Sequence, residues 1–208
     1  MLKLGEKIIS DIYLGDKKIA KAFLGDKLVY QAGKPIFLDY IHFGGASYID
    51  TGIAYQTCTV KTAVKYEANK GRRMLTGFSG SGSYWGMTTD GLLELNAKSV
   101  ANTNLTDYTD VEFKVDATNN MLYCKADGVE FESNTVATTD TYTIGCTNPT
   151  SGNKIIGNVY YSTFYNADGT LIQDLRPYVD ENNVACFKDV VTGNLFYNQG
   201  TGTLGYTE

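Results

Sequence analysis

The stretch TCTVKTAVKYE, residues 57–67, decides the fold class. Its apolar and polar side chains alternate: one side carries Cys58, Val60, Val64 and Tyr66, and the other carries Thr59, Lys61 and Lys65. A period of two with one polar face is typical of an antiparallel strand whose other face packs on a core. The stretch therefore predicts a half-buried strand of a β-sheet.

Strand signals of the same kind continue outward from this stretch in both directions. They include YIHFGGASYIDTGI (40–53), DVEFKVD (110–116), NMLYCKADGVEFES (120–133) and YTIGCT (142–147). The composition agrees, because 16 Tyr and 22 Gly suit strands and tight turns, and no long segment has helical periodicity. We count roughly twelve strands, and one open sheet of that size would expose too much apolar surface. The sequence predicts an all-β fold of two stacked antiparallel sheets.

The net charge of −5 is divided unevenly along the chain. Residues 1–34 hold seven Lys and four acidic residues, so they carry +3 and the remainder must carry −8. An acidic main body argues against binding nucleic acid by neutralising phosphates. No apolar run approaches the roughly 20 residues of a membrane-spanning helix, and MLKLGEKIIS lacks the apolar core of a secretory signal. We therefore expect no nucleic-acid partner, no membrane partner and synthesis in the cytoplasm without export.

The cysteines predict neither disulfides nor a metal site. They stand at positions 58, 124, 146 and 186, with no C-x-x-C spacing, and the chain has a single His. This pattern does not suit zinc. Cys58, Cys124 and Cys146 fall on inward positions of predicted strands, so we expect buried free thiols. No metal and no cofactor is predicted.

The N-terminal segment repeats a unit of ten residues, as LGEKIISDIY, LGDKKIAKAF and LGDKLVYQA. Gly followed by an acid and Lys predicts a turn in each unit, with a strand of about seven residues between turns. Because ten is even, equivalent residues face the same way. Ile9, Ile19 and Val29 therefore form one row, and Tyr13 and Phe23 form another.

Three such strands bury too little apolar area to be stable alone, so another surface must cover them. We predict that residues 1–34 form a short three-strand stem for anchoring and oligomerisation, as a trimer. The side chains buried between copies would be Ile9, Tyr13, Ile19, Phe23 and Val29. Gly33-Lys34-Pro35 is typical of a linker, and residues 35–208 would form the sandwich. The alternative is a meander packed against that sandwich.

Two parts of the chain resemble known proteins. The tandem units YLGDKKIAKAFLGDKLVY resemble N-terminal repeats of bacteriophage structural proteins, which precede a β-rich outer domain. FGGASYIDTGI, LYCKADGVEF and the run from IIGNVYY to FYNQGTG resemble concanavalin A-like jelly-roll domains of the laminin-G type. The resemblance implies an antiparallel β-sandwich. Within that run, Asp168-Gly169 and Asp189 with Thr192-Gly193 are interpreted as turn residues of the framework.

No catalytic residues are predicted. Retaining glycosidases need two carboxylates about 5–5.5 Å apart, and the nearest candidate pair is Asp110 and Glu112. Both belong to the polar side of DVEFKVD, opposite an apolar side, so we interpret them as a solvated face. His42 lies among apolar residues, and the chain has no Gly-x-Ser-x-Gly motif.

Binding is better supported than catalysis. Tyr84 and Trp85 stand beside the Gly/Ser-rich segment GFSGSGS, where exposed rings could stack on sugars; core packing of the lone Trp is the alternative. Asp50, Asp90 and Asp180 are acids in predicted loops, but their spacing does not define a calcium site.

Together these features predict a non-enzymatic bacteriophage virion protein, such as a fibre, spike or capsid decoration. Its partners would be copies of itself, other virion proteins and host-surface polysaccharide. The first alternative is a carbohydrate-binding module of a bacterial or prophage enzyme system. The second is a glycan hydrolase that uses Glu112.

Overall fold

A computed structural model gives the arrangement of most of the chain. It describes residues 36–67, 73–78, 83–88, 92–96, 98–99, 105–126, 128–135, 137–146 and 154–206, together with the backbone of short strands between residues 3 and 31.

The ten-residue repeat has a structural counterpart in three separate pairs of antiparallel strands. These are β1 (Lys3–Leu4) with β2 (Lys7–Ile8), β3 (Tyr13–Leu14) with β4 (Lys17–Lys18), and β5 (Lys21–Leu24) with β6 (Lys27–Gln31). The pairs that close them, Leu4–Lys7, Leu14–Lys17 and Leu24–Lys27, recur at the spacing of the repeat.

The described strands pair on either side of each Gly-acid dipeptide, and residues 9–12 and 19–20 between them lie outside the described part, so the length of the stem strands stays a prediction. Each described strand has two to five residues and pairs with its neighbour across one Gly-acid dipeptide. A Gly-acid dipeptide between paired residues favours a tight hairpin, which makes the pairing local. The side chains of Ile9, Tyr13, Ile19, Phe23 and Val29 lie outside the described part, so their burial between copies stays a prediction.

Within the described ranges, seventeen further strands form the sandwich. They are β7 (Ile36–Phe37), β8 (Ile41–Gly44), β9 (Ile49–Ala54), β10 (Cys58–Tyr66), β11 (Arg73–Phe78), β12 (Ser83–Met87), β13 (Leu93–Leu95), β14 (Lys98–Ser99), β15 (Thr109–Asp116), β16 (Met121–Ala126), β17 (Val129–Asn134), β18 (Thr141–Ile144), β19 (Ile156–Asn166), β20 (Leu171–Val179), β21 (Ala185–Asp189), β22 (Leu195–Phe196) and β23 (Leu204–Gly205).

These strands make two antiparallel sheets, which confirms the predicted fold class. The large sheet has the order β17-β16-β15-β10-β19-β20-β21-β22, and β7, β8 and β23 join it at one end. The small sheet has the order β14-β13-β12-β11-β18-β9. Across the residues described, no helix is long and apolar enough to span a bilayer.

Aromatic side chains join the two sheets in the core. Trp85 of the small sheet lies against Phe113 of the large sheet with ring centroids 3.8 Å apart. Tyr142 of the small sheet meets Phe164 of the large sheet edge-on at 5.0 Å. All four rings are fully buried, as expected for the large apolar side chains that dominate core energetics.

The C-terminal run FYNQGTG contacts the loop between β8 and β9. The Asn198 side-chain oxygen accepts hydrogen bonds from the backbone N–H groups of Tyr48, at 3.0 Å, and Gly200, at 2.9 Å. A Cβ atom at Gly200 would lie 2.1 Å from the Ala46 carbonyl oxygen, so the close approach of the two backbones requires glycine there. The FYNQGTG run is therefore explained by its contacts with residues 46–48, which close the fold.

Asp189, which precedes FYNQGTG in the chain, has a structural role. Its carboxylate is 1% exposed and accepts hydrogen bonds from the Asp174 N–H at 2.9 Å, the Val191 N–H at 3.1 Å and the Thr192 hydroxyl at 2.6 Å. A buried carboxylate needs such donors to offset its desolvation. The interpretation of Asp189 as a turn residue is confirmed.

The cysteines have the environment that the sequence predicts. All four are buried and free. Burial raises the pKa of the Cys58 and Cys186 thiols to about 12, and burial also raises the pKa of Cys146 to about 11. The thiols are therefore small apolar core groups rather than nucleophiles.

Candidate functional site

The face of the large sheet that points away from the small sheet carries the candidate site, and we call it the outer face. In β15 the side chains of Val111, Phe113 and Val115 are buried, and those of Asp110 and Glu112 alternate with them on the outer face. The predicted polar side of DVEFKVD is thus confirmed in its placement. Its side chains, however, are held in cross-strand contacts.

The register of the strands places four charges of alternating sign next to one another across neighbouring strands. Glu130 of β17 faces Lys125 of β16, Lys125 faces Glu112 of β15, and Glu112 faces Lys61 of β10. The Lys125–Glu130 pair closes to 2.8 Å and the Lys61–Glu112 pair to 3.3 Å. Opposite charges directly across strands attract, although pairs this exposed contribute little to stability. We call Glu130, Lys125, Glu112 and Lys61 the charge row.

Two depressions on the outer face adjoin this row, one on each side of it. The larger is about 480 Å³ and is lined by Glu112, Lys114, Tyr123, Cys124, Lys125, Glu130, Phe131 and Glu132. The smaller is about 250 Å³ and is lined by Lys61, Asp110, Val111, Glu112, Lys125, Ala126, Gly128 and Tyr161. Both linings contain Glu112 and Lys125, so the depressions adjoin each other along the charge row, and we call them together the outer-face groove.

A β-bulge in β19 brings two consecutive tyrosines to the outer face. The pairing of β10 with β19 shifts where Ala63 faces Tyr161 and Val64 faces Val159, which leaves Tyr160 as an extra residue. At a bulge, consecutive side chains can point to the same face. Tyr160 accordingly meets the Tyr108 ring on the outer face at 4.8 Å, while Tyr161 also points outward.

Tyr161 reaches across β10 to a carboxylate on β15. Its hydroxyl donates a hydrogen bond of 2.7 Å to Asp110. The residue between them in the register is Ala63, whose small side chain leaves room for the ring to cross. Burial, together with the Asp110 hydrogen bond and charge, raises the pKa of Tyr161 well above its ordinary value, so the hydroxyl stays protonated.

Cations lie over tyrosine rings on the same face. The Lys114 ammonium is 5.7 Å from the centre of the Tyr123 ring, and the Arg176 guanidinium is 5.1 Å from that of Tyr161. Arg176 also holds Asp174 at 2.7 Å. These contacts fix the rings at the groove in a preferred orientation.

The two residues predicted to bind ligand, Tyr84 and Trp85, differ in their exposure to solvent. Trp85 is fully buried against Phe113, so a sugar cannot reach its ring, and the binding prediction for Trp85 is wrong. The alternative, in which Trp85 packs in the core, holds because successive side chains of a strand point to opposite faces and that of Trp85 points inward. Tyr84, next to it, is partly exposed and donates a 2.7 Å hydrogen bond to Glu94. Its binding role stays a prediction.

The predicted loop acids are engaged within the fold where they are described. Asp180 is 4% exposed and accepts hydrogen bonds from the N–H groups of Asn182 and Val184 and from the Tyr197 hydroxyl, each at 2.8 Å. Asp50 accepts one from the Gly52 N–H at 2.9 Å, and Asp90 lies outside the described residues. Among the described side chains, no cluster of three or more metal-ligating groups is present.

The tyrosines of the outer face were not found from the sequence. Their signal is the pair Tyr160-Tyr161 inside an otherwise alternating strand, which breaks the period of two. Such a break is consistent with a bulge, but the sequence alone does not show which face the extra residue takes.

Comparisons with known proteins were made for sequence and for structure. No protein-family model and no curated protein sequence matches the chain. Solved structures that are similar include a native heptameric SAP-like pentraxin from Limulus polyphemus, with a TM-score of 0.48 and 10% identity over 81% of this chain and 95% of that one. Another is the CBM40 of the Ruminococcus gnavus IT-sialidase bound to α2,3-sialyllactose, with a TM-score of 0.45 and 14% identity over 62% of this chain and 91% of that one.

A third similar structure is domain 4 of AbnA, a GH43 extracellular arabinanase from Geobacillus stearothermophilus, in complex with arabinotriose. It has a TM-score of 0.43 and 16% identity over 71% of this chain and 80% of that one. The fold described above is independent of these similarities, since it rests on the pairing of the strands themselves.

Proposed function

We propose that the chain is a non-enzymatic bacteriophage virion protein whose sandwich binds host-surface glycans in the outer-face groove. The observation that carries the glycan-binding part is the groove itself. It combines tyrosine rings with carboxylates and ammonium groups that cross-strand contacts hold in place. Sites for small ligands typically combine such apolar surfaces with a few fixed polar groups.

The groove offers what a sugar ring needs. A tyrosine ring can present a flat apolar face to the C–H groups of a sugar, and Tyr123 is one of the residues that line the larger depression. Sugar hydroxyls both donate and accept hydrogen bonds, so Glu112 and Glu130 can accept from them and Lys125 can donate to them. The fixed arrangement lowers the entropy that binding must overcome.

The virion part of the proposal is supported by the N-terminal repeats. Three successive units with the same closing pair are present in the structure, and their sequence resembles repeats that precede the outer domains of phage proteins. A trimeric stem would present three grooves together. Weak sites on one particle would then act at a high effective concentration.

The second candidate is a carbohydrate-binding module of a bacterial or prophage enzyme system. It uses the same groove but needs no oligomer. Sedimentation of the full chain separates the two candidates. A trimer that dissociates in Tyr13→Asp/Phe23→Asp, but not in the charge-changing control Lys18→Glu, supports the stem. A monomer at micromolar concentration supports the module instead.

The glycan-binding part is tested with the full chain on a glycan array. We compare Tyr123→Ala, in the groove, with Tyr84→Ala, a partly exposed tyrosine on the small sheet. The proposal expects binding that is lost in Tyr123→Ala and kept in Tyr84→Ala. Loss in Tyr84→Ala alone would move the site to the small sheet, and no binding by the parent chain would contradict the proposal.

A further inference from the structure

The shape and charge of the outer-face groove define the class of glycan that it fits. Resting on the proposed function, we infer that the groove takes an uncharged oligosaccharide that lies across the strands and fills both depressions. The inference stands on the direction of the groove, its length and its balance of charges.

The two depressions together extend across several neighbouring strands. Its lining residues come from five neighbouring strands, in the order β17, β16, β15, β10 and β19. Neighbouring strands lie about 4.8 Å apart, so the outermost two are roughly 19 Å apart. A single sugar ring would occupy one depression, whereas a short chain would span from Tyr123 to Tyr161.

The charges of the groove disfavour an anionic ligand. The lining holds four carboxylates, on Asp110, Glu112, Glu130 and Glu132, against three ammonium groups, on Lys61, Lys114 and Lys125. Lys61 and Lys125 are already paired with Glu112 and Glu130. A carboxylate or sulfate on the ligand would therefore compete with existing pairs and face a negative excess, which is unfavourable at close range.

Lys114 does not reverse this balance. Its ammonium lies 5.7 Å from the centre of the Tyr123 ring, and Glu132 faces that tyrosine from the next strand. Hydroxyl groups, by contrast, can bond to carboxylates and ammonium groups without breaking the pairs between them. The groove thus suits hydroxyl-rich, uncharged rings.

The test is calorimetric titration of the full chain with two series of oligosaccharides. The neutral series consists of malto-, cello- and manno-oligosaccharides of one to six rings, and the acidic series of oligogalacturonates of the same lengths. We expect at least one neutral series to bind, with affinity rising by about tenfold or more from the shortest to the longest chain, and little change with added salt. The acidic series should bind more weakly at every length.

Variants at the two ends of the groove show whether one chain spans it. Tyr123→Ala touches only the larger depression and Tyr161→Ala only the smaller. Each should weaken binding of the longest neutral chain by about tenfold and flatten the dependence on length. Thermal unfolding of each variant identifies loss of folding, and Tyr161→Phe, which keeps the ring, should retain the dependence on length.

The possible results separate this inference from the proposed function. Affinity that does not change with length, or stronger binding of the acidic series, would overturn the inference while glycan binding stands. A further result is that neither series binds while the array detects binding of another glycan. In that case an acidic glycan overturns the inference, and an uncharged oligosaccharide supports it. Absence of binding to every glycan would overturn both.

Discussion

Trp85 and Phe113 are in direct contact, with ring centroids 3.8 Å apart, and they connect the two sheets in the core of the sandwich. Phe113 also faces Val60 in the register of β10 and β15, so the pair lies next to the strand that decided the fold class. The lone tryptophan therefore packs in the core and is not available to a ligand.

Replacing Trp85 should destabilise the fold strongly. Trp85→Ala removes a fully buried ring from between the sheets and should lower the free energy of unfolding by about 3–5 kcal/mol. Urea denaturation followed by circular dichroism measures this. Tyr84→Ala is the matched control and should cost only about 1–2 kcal/mol, for its hydrogen bond to Glu94. Equal losses in both variants would contradict the placement of Trp85 in the core.

Gly200 should tolerate no side chain. Gly200→Ala would place a Cβ 2.1 Å from the Ala46 carbonyl oxygen, and the backbone shift that relieves this contact should cost about 1–3 kcal/mol. Gly44→Ala is the control, because a Cβ there meets no atom within 4 Å. Thermal unfolding compares the two, and an unchanged melting temperature in Gly200→Ala would show that the C-terminal run does not close the fold as described.

Asp180 should make stability depend on pH in the acid range. Burial opposes its ionisation, but hydrogen bonds from Val184, Tyr197 and Asn182 outweigh it, so its pKa is lowered in the folded state. The stabilisation is therefore fully present above the unfolded pKa of about 3.9 and is lost as the pH falls through the lower folded pKa.

The corresponding variant is Asp180→Asn. It should cost about 1–3 kcal/mol near neutral pH, and the difference from the parent should shrink in acid below about pH 3.9. Glu181→Gln, at the exposed neighbouring position, should have little effect at either pH. Urea titrations at the two pH values measure both variants. A difference for Asp180→Asn that grows on acidification would contradict the assigned sign.

The four thiols should be inert in the native protein. Burial shields the thiols from reagents. It also raises their pKa, to about 12 for Cys58 and Cys186, so they are protonated near pH 8. Reaction with a disulfide reagent should be slow in buffer and complete for all four in denaturant. Rapid modification of any one of them before unfolding would show that its strand is not part of a closed core.

The fold was predictable because its evidence is local. The alternation in β10 and β15 appears in the sequence as it appears in the structure, since a half-buried strand must expose every second residue. The turns at Asp189 and Asp168-Gly169 were also predictable, because their hydrogen bonds join residues close in the chain.

The groove could not be predicted because it depends on contacts distant in sequence. Glu112 meets Lys61 only once the register of β10 and β15 is set, and Tyr161 reaches Asp110 only because Ala63 lies between them. Tyr84 and Trp85 attracted the binding prediction because they lie beside a glycine-rich segment. The sequence did not show which of them faces the core.

The most direct test of the central claim is amide chemical-shift mapping of the full chain with the neutral oligosaccharide that binds most tightly on titration. The account predicts shifts concentrated in β15, β16 and β17 and at Tyr161 in β19, with β11, β12 and β13 unchanged. Shifts centred on Tyr84 and its neighbours in the small sheet, with the outer face of the large sheet unchanged, would contradict it.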